Sequence, residues 1–257
     1  MLYHVHVRAY STLPTILAAI SHFYCRFYLP SPTSSRSITR SLEGAKRLFG
    51  SPSVSRKIIT KTILDSLFSL TLRPNVSFVL LRTVWRVFIE FYGLLRFNEV
   101  SNLRFSDLTW TDLGFDIFIS KSKTDQSRKG DWVSIAAQPG SSGCPVSFTC
   151  RYLSVLPYYS GYIMPSLHNS LPDSLSPLKY NTALRDLRSA LRLIGVNPTG
   201  YGKHSGRRGG TTAAAAKGAS IDELMTQGRW RSESMPRLYT DNALKCKRKF
   251  ARRLASL

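Results

Sequence analysis

The stretch "FVLLRTVWRVFIEFYGLL", residues 78–95, constrains the fold of this chain more than any other. Its charged residues, Arg82, Arg86 and Glu90, recur at i, i+4 and i+8, which lines them along one face of an α-helix. A membrane span needs about 20 predominantly apolar residues, so a segment with such a row reads as an amphipathic core helix instead. The chain has 257 residues, 43% of them hydrophobic, which is enough to bury a core and suits one medium domain plus a smaller one.

Helical patterns surround this segment. "STLPTILAAISHFYCRF" has Pro14 suited to a first helical turn, and "RSITRSLEGAKRLFG" ends at Gly50. Between them "LPSPTSSRS" is a loop by composition, and "SRKIITKTILDSLFSL" supplies a third helical pattern. After the core helix a break is expected near Gly93, followed by a short helix at "FNEVSNL". The period then changes. "GFDIFIS" and "DWVSIAA" are β-rich runs flanking "KSKTDQSRKG", which predicts a β-hairpin with a lysine-loaded loop. Helices return with "NTALRDLRSALRLIG", stopping at Gly195, then with residues 203–218, and Ser220 and Glu223 have capping-box spacing.

Lys and Arg number 36 against 15 Asp and Glu, a formal charge of +21. Such an excess points to a polyanionic partner, and with no span in view that partner is nucleic acid rather than membrane. No uninterrupted apolar stretch opens the chain, so no secretory signal is expected. Cys25, Cys144, Cys150 and Cys246 lack metal-ligand spacing and read as reduced thiols of an intracellular protein.

Five short stretches carry the chemistry: "GLLRFNEVSNL" with Arg96, "KSKTDQ" with Lys123, "KHSGRRGG" with His204 and Arg207, "GRWRS" with Trp230, and "PRLYTDNAL" with Tyr239. Together, and with the nine-residue step from Trp230 to Tyr239, they resemble the tyrosine recombinase (phage integrase) family, whose catalytic order is Arg, Lys, His-x-x-Arg, His or Trp, and Tyr. Within it, "SPTSSRSITRSLEGAKRLFGSP", "KTDQSRKG" and "HSGRRGG" look most like the recombinases of DIRS-type eukaryotic retrotransposons.

Residue chemistry suits those positions. Attack on a phosphodiester builds charge on two non-bridging oxygens, which planar guanidinium groups meet well, so Arg96 and Arg207 are the candidates, with Glu99 at i+3 supporting Arg96. His204 is expected one turn before Arg207 on the same helical face. Gly209 and Gly210 allow close approach of DNA or of another helix, and the "TTAAAA" body is expected to be buried while the charged start works on DNA. The resemblance favours Lys123 as general acid over Lys121 and Lys129, which are assigned to DNA contact together with Lys203, Arg208 and Arg231. Trp230 can donate its indole N–H to the scissile phosphate. Tyr239 is the nucleophile the resemblance implies, with Tyr180 and Tyr201 as the ordinary alternatives among 12 tyrosines. No metal or other cofactor is expected, as neither a P-loop pattern nor clustered carboxylates are present.

The resulting expectation is a mainly α fold with a small antiparallel β-sheet, the DNA breaking-rejoining enzyme catalytic fold. Residues 1–55 would form a helical, SAM-like DNA-clamp segment, with truncation at its start left open, and residues 56–257 the catalytic domain. Double-stranded DNA is the expected partner, with self-assembly from dimer to tetramer and no membrane, in the nucleus if the source is eukaryotic. The tail "KCKRKFARR" fits a localisation signal, a DNA contact or a helix donated to a neighbouring protomer equally well. A catalytically silent DNA-binding derivative and a topoisomerase-like relaxing enzyme are the rival readings.

Overall fold

The computed structural model describes residues 10–50, 57–120, 129–234, 236, 237 and 255. The chain divides into two compact units, Met1–Ser55 and Arg56–Leu257. In the first, helix α1 (Leu13–Arg26) takes Pro14 in its first turn, where a missing N–H costs nothing. The expected loop contains a single 3-10 turn at Pro32–Ser34, and helix α2 (Arg36–Phe49) starts where Ser35 Oγ accepts the N–H of Ile38.

The second unit is built around helix α4 (Phe78–Tyr92), capped by Ser77 and packed by α3 (Lys61–Leu70), α5 (Phe97–Ser101), α6 (Pro145–Ser154), α7 (Tyr180–Leu193) and α8 (Ser205–Ala216). Helix α3 is shorter than its pattern, because Thr60 caps it by accepting the N–H of Ile63. The expected hairpin forms as β2 (Gly114–Ile119) with β3 (Asp131–Ala136), and a strand β1 (Leu108–Thr111) extends it to an antiparallel sheet of order β1-β2-β3. A second hairpin, β4 (Pro165–His168) with β5 (Leu171–Pro177), was not expected; helix α9 (Ile221–Gly228) starts at the capping box of Ser220 and Glu223. The described cysteines, Cys25, Cys144 and Cys150, are free thiols, and Cys246 lies outside the described residues. No described helix is long and apolar enough to cross a membrane.

Two expectations are corrected by packing. Helix α4 is buried all round from Leu81 to Phe91, so its charged stripe is an internal ionic row. Arg82 donates to Asp186 Oδ2 of α7 at 3.0 Å and to the Pro165 carbonyl, while Arg86 pairs with Glu90 within the helix. Burial pushes the Glu90 carboxyl up and Arg86 opposes it. The second correction concerns α8, whose charged start is the buried part: Ser205, Gly206, Arg207, Gly209, Gly210 and Thr211 are inside, and Ala213–Ala215 are half-buried. A Cβ on Gly209 would lie 1.8 Å from the Ile59 carbonyl oxygen, and one on Gly210 1.9 Å from that of Phe91. The glycines therefore serve the approach of backbone to backbone, not of DNA. Gly210→Ala is accordingly expected to lower stability by about 1–3 kcal/mol despite alanine's better helix propensity, read as an earlier denaturant midpoint.

Candidate active site

The turn after α4 positions the first functional group. Leu94 adopts the left-handed conformation (φ 47°) beyond Gly93, and α5 begins directly after Arg96. Glu99, in the first turn of α5, accepts the Arg96 backbone N–H on Oε2 at 2.7 Å and Arg96 Nη1 on Oε1 at 2.6 Å. The supporting role expected of Glu99 thus has a geometric form: it caps the helix and holds the arginine that precedes it.

Two more arginines converge on the same carboxylate. Arg229 Nη2 donates to Glu99 Oε2 at 2.6 Å, and Arg207 Nη1 lies 3.9 Å from that oxygen. Arg207 also donates through Nη2 to the Gly228 carbonyl, and its guanidinium carbon lies 4.2 Å from the centroid of the Trp230 ring. Trp230 is 7% exposed and packs with Leu94 and Leu224. Gly228 is required beneath that ring, since a Cβ there would come within 2.1 Å of it. One negative charge is thus surrounded by three positive ones, an arrangement suited to receiving a further anion. Burial pushes the Glu99 carboxyl up, but Arg229 and then Arg96 outweigh it and hold the group below the usual carboxylate range. Arg229 is pulled down by its own burial and raised again by Glu99.

His204 stands at the start of the helix that carries Arg207. It is the N-cap of α8, at φ −113° and ψ 1°, half-buried and one turn before Arg207. The turn that carries it is pinned: Ser205 Oγ donates to the Lys57 carbonyl at 2.7 Å, and the Ser205 carbonyl accepts the N–H of Ile59 at 3.0 Å. Arg208 is half-buried on α8, and Lys203 is exposed with its ammonium 5.8 Å from the Tyr180 ring.

A cleft of about 700 Å³ opens beside this cluster between β3 and α9. Lys129, Trp132, Arg229, Trp230 and Arg231 line it, and Gln227 Nε2 ties α9 to β3 through the Ser134 carbonyl at 2.9 Å. The structure thus gathers Arg96, Glu99, Arg207 and Trp230 and puts Lys129 and Arg231 on the adjoining cleft. Lys121, Lys123 and Tyr239 lie outside the described residues. Sequence reasoning missed Arg229. It stood within the quoted "GRWRS", but only the folded chain reveals its partner 130 positions away.

Similarity to known proteins follows the same geometry. No protein-family profile matches the chain. Over 155 residues it is 27% identical to an integrase/recombinase XerD homologue of Selenomonas ruminantium, a match covering 60% of this chain and 46% of that protein. The chain therefore spans a little under half the length of that curated relative. Among solved structures, the Tn1549 transposon integrase in complex with transposon right end DNA matches 96% of this chain and 80% of its own, with a TM-score of 0.68 at 13% identity. XerA recombinase matches 92% of this chain and 74% of its own, with a TM-score of 0.57 at 18% identity. These likenesses establish a mostly helical fold with small antiparallel sheets, that of the tyrosine recombinase catalytic domain. With the XerD homologue's sequence similarity beside that fold, the chain is similar to tyrosine recombinases in both sequence and fold.

Proposed function

We propose that this protein is a site-specific recombinase that cuts and rejoins double-stranded DNA, with Tyr239 as nucleophile and without metal. The Tyr239 phenolic oxygen attacks the scissile phosphorus, the bond to the 5′ oxygen breaks, and Lys123 delivers the proton that this leaving oxygen takes up. A 3′-phosphotyrosyl bond results, and attack by a 5′ hydroxyl reverses the step with the energy of the broken linkage retained. Arg96 and Arg207 meet the two non-bridging oxygens, with His204 and the Trp230 indole N–H as further donors. The observation that carries this reading is the convergence of Arg96, Arg207 and Trp230 around Glu99 from three distant segments.

Arg96, with 17% of its side chain exposed, is the most open cation of the cluster, while Arg207 lies beneath Trp230. Ile119 and Lys129, which stand before and after Lys123 in the chain, line the cleft with Trp230, and this supports the role of Lys123. Residues 1–55 act as a helical DNA clamp and residues 56–257 as the catalytic domain, with Lys121, Lys129, Lys203, Arg208 and Arg231 on DNA phosphates. A net charge of +21 supports the DNA partner, and assembly from dimer to tetramer on DNA follows from the family resemblance. The motif likeness to DIRS-type elements supports an origin in a mobile element, specifically a retrotransposon, and action in a nucleus.

A nicked suicide duplex incubated with the protein in chelator tests the reading. A denaturation-resistant protein–DNA adduct is expected, whereas retardation without an adduct would favour the silent DNA-binding alternative. The assignment of Lys123 has its own test. Lys123→Ala is expected to slow cleavage about a hundredfold and to regain most of that loss on DNA with a 5′ bridging sulfur, a leaving group that hardly needs a proton. Rescue of Lys121→Ala or Lys129→Ala instead would move the role.

A further inference from the structure

We propose that Arg229 is a positioning residue of this site: its guanidinium holds Glu99 on Arg96, keeps Arg207 from closing onto that carboxylate, and its backbone turns Trp230 over Arg207. This rests on the recombinase reading above. Glu99 Oε2 takes the Arg96 N–H at 2.7 Å and Arg229 Nη2 at 2.6 Å, while Arg207 Nη1 stays at 3.9 Å. Arg229 thus occupies the place on Oε2 that Arg207 would otherwise take. A guanidinium nitrogen bonded to the carboxylate is not offered to a phosphate, so by keeping Arg207 Nη1 at 3.9 Å from Glu99, Arg229 preserves the reach of Arg207.

The backbone carries a second part of the role. Arg229 ends α9 in the left-handed conformation, φ 53° and ψ 49°, at a residue with a Cβ, where that conformation is strained. Strain of this kind persists where surrounding contacts over-determine it, and here they are explicit. The guanidinium is buried on Glu99 and donates also to the Gln227 carbonyl at 3.2 Å, and the next residue is Trp230. Among the described residues, the charged groups facing Glu99 are Arg96 beside α5, Arg207 of α8 and Arg229 after α9, with Asp131 of β3 acting on Arg229. Burial alone would push Glu99 up, and Arg229 is the strongest influence against it. Its loss moves Glu99 up, so that the carboxyl takes a proton at higher pH than in the wild type and Arg96 then loses its charged partner.

Arg229→Gly and Arg229→Lys separate these effects, because glycine removes the side chain while favouring the left-handed turn, and the denaturant midpoint of each variant checks its fold. Arg229→Gly is expected to slow suicide-substrate cleavage about tenfold relative to the wild type near pH 7.5 and by a larger factor relative to the wild type near pH 6, with DNA affinity unchanged. Arg229→Lys restores the wild-type pH profile. In the DNA-free protein, the Glu99 carboxyl followed by ¹³C NMR is expected to titrate at higher pH in Arg229→Gly than in the wild type. An unchanged Glu99 titration together with an unchanged pH profile in Arg229→Gly would overturn the proposal. A wild-type protein that makes no adduct would overturn the recombinase reading instead, and the Glu99 titration would still decide whether Arg229 holds that carboxylate.

Discussion

Arg207→Lys is expected to slow strand cleavage between about a hundredfold and a thousandfold, with DNA affinity nearly unchanged. A positioned donor facing a developing negative charge contributes about 10²–10³ in rate, and a lysine replaces two planar donors with a point charge on a flexible stem. The structure adds a reason specific to this site. The Arg207 guanidinium is fixed by the Gly228 carbonyl on one side and the Trp230 ring at 4.2 Å on the other, a position an ammonium cannot hold on both contacts. Affinity survives because the positive charge is kept and the basic surface of a protein with net charge +21 still neutralises phosphates. Single-turnover cleavage on a nicked substrate measures the effect, and a loss of less than about threefold would reduce Arg207 to a structural contact.

Tyr239→Phe is expected to abolish covalent adduct formation altogether, since the attacking oxygen is removed. DNA retardation by the same variant should match the wild type. The ordinary alternatives are poor nucleophiles in this fold. Tyr201 is 7% exposed, and burial raises its phenol, which disfavours the phenolate. Tyr180 opens α7 with its ring 5.4 Å from Phe97 and under the Lys203 ammonium. Adducts persisting in Tyr239→Phe at the wild-type level would remove Tyr239 from the mechanism.

Local signals were legible where the physics is local. Pro14 in the first turn of α1, Gly195 after α7 at φ 73° and the Ser220–Glu223 capping box each act within one turn of chain, and each is found where its residues indicate. The alternation in "GFDIFIS" and "DWVSIAA" likewise marks a sheet face. Strand β1, with the four residues "LTWT", is too short to establish a period, and the exposed β4–β5 hairpin has no buried face to mark it. What the helix α4 charges meet was not legible either, because Asp186 and Pro165 lie about a hundred or fewer positions away in chain and only the fold brings them in. The same holds at the site. Arg96, Glu99, Arg207 and Trp230 could be picked out by motif, but the capping position of His204 and the hold of Arg229 on Glu99 are properties of the assembled turns.

The most direct measurement is to trap the protein on a nicked suicide duplex, digest the adduct and identify by mass spectrometry the residue that carries the nucleotide. The account predicts a phosphotyrosyl linkage to the DNA 3′ end at Tyr239, formed in the presence of chelator. A linkage at any other residue, or efficient non-covalent binding with no adduct at all, would contradict it.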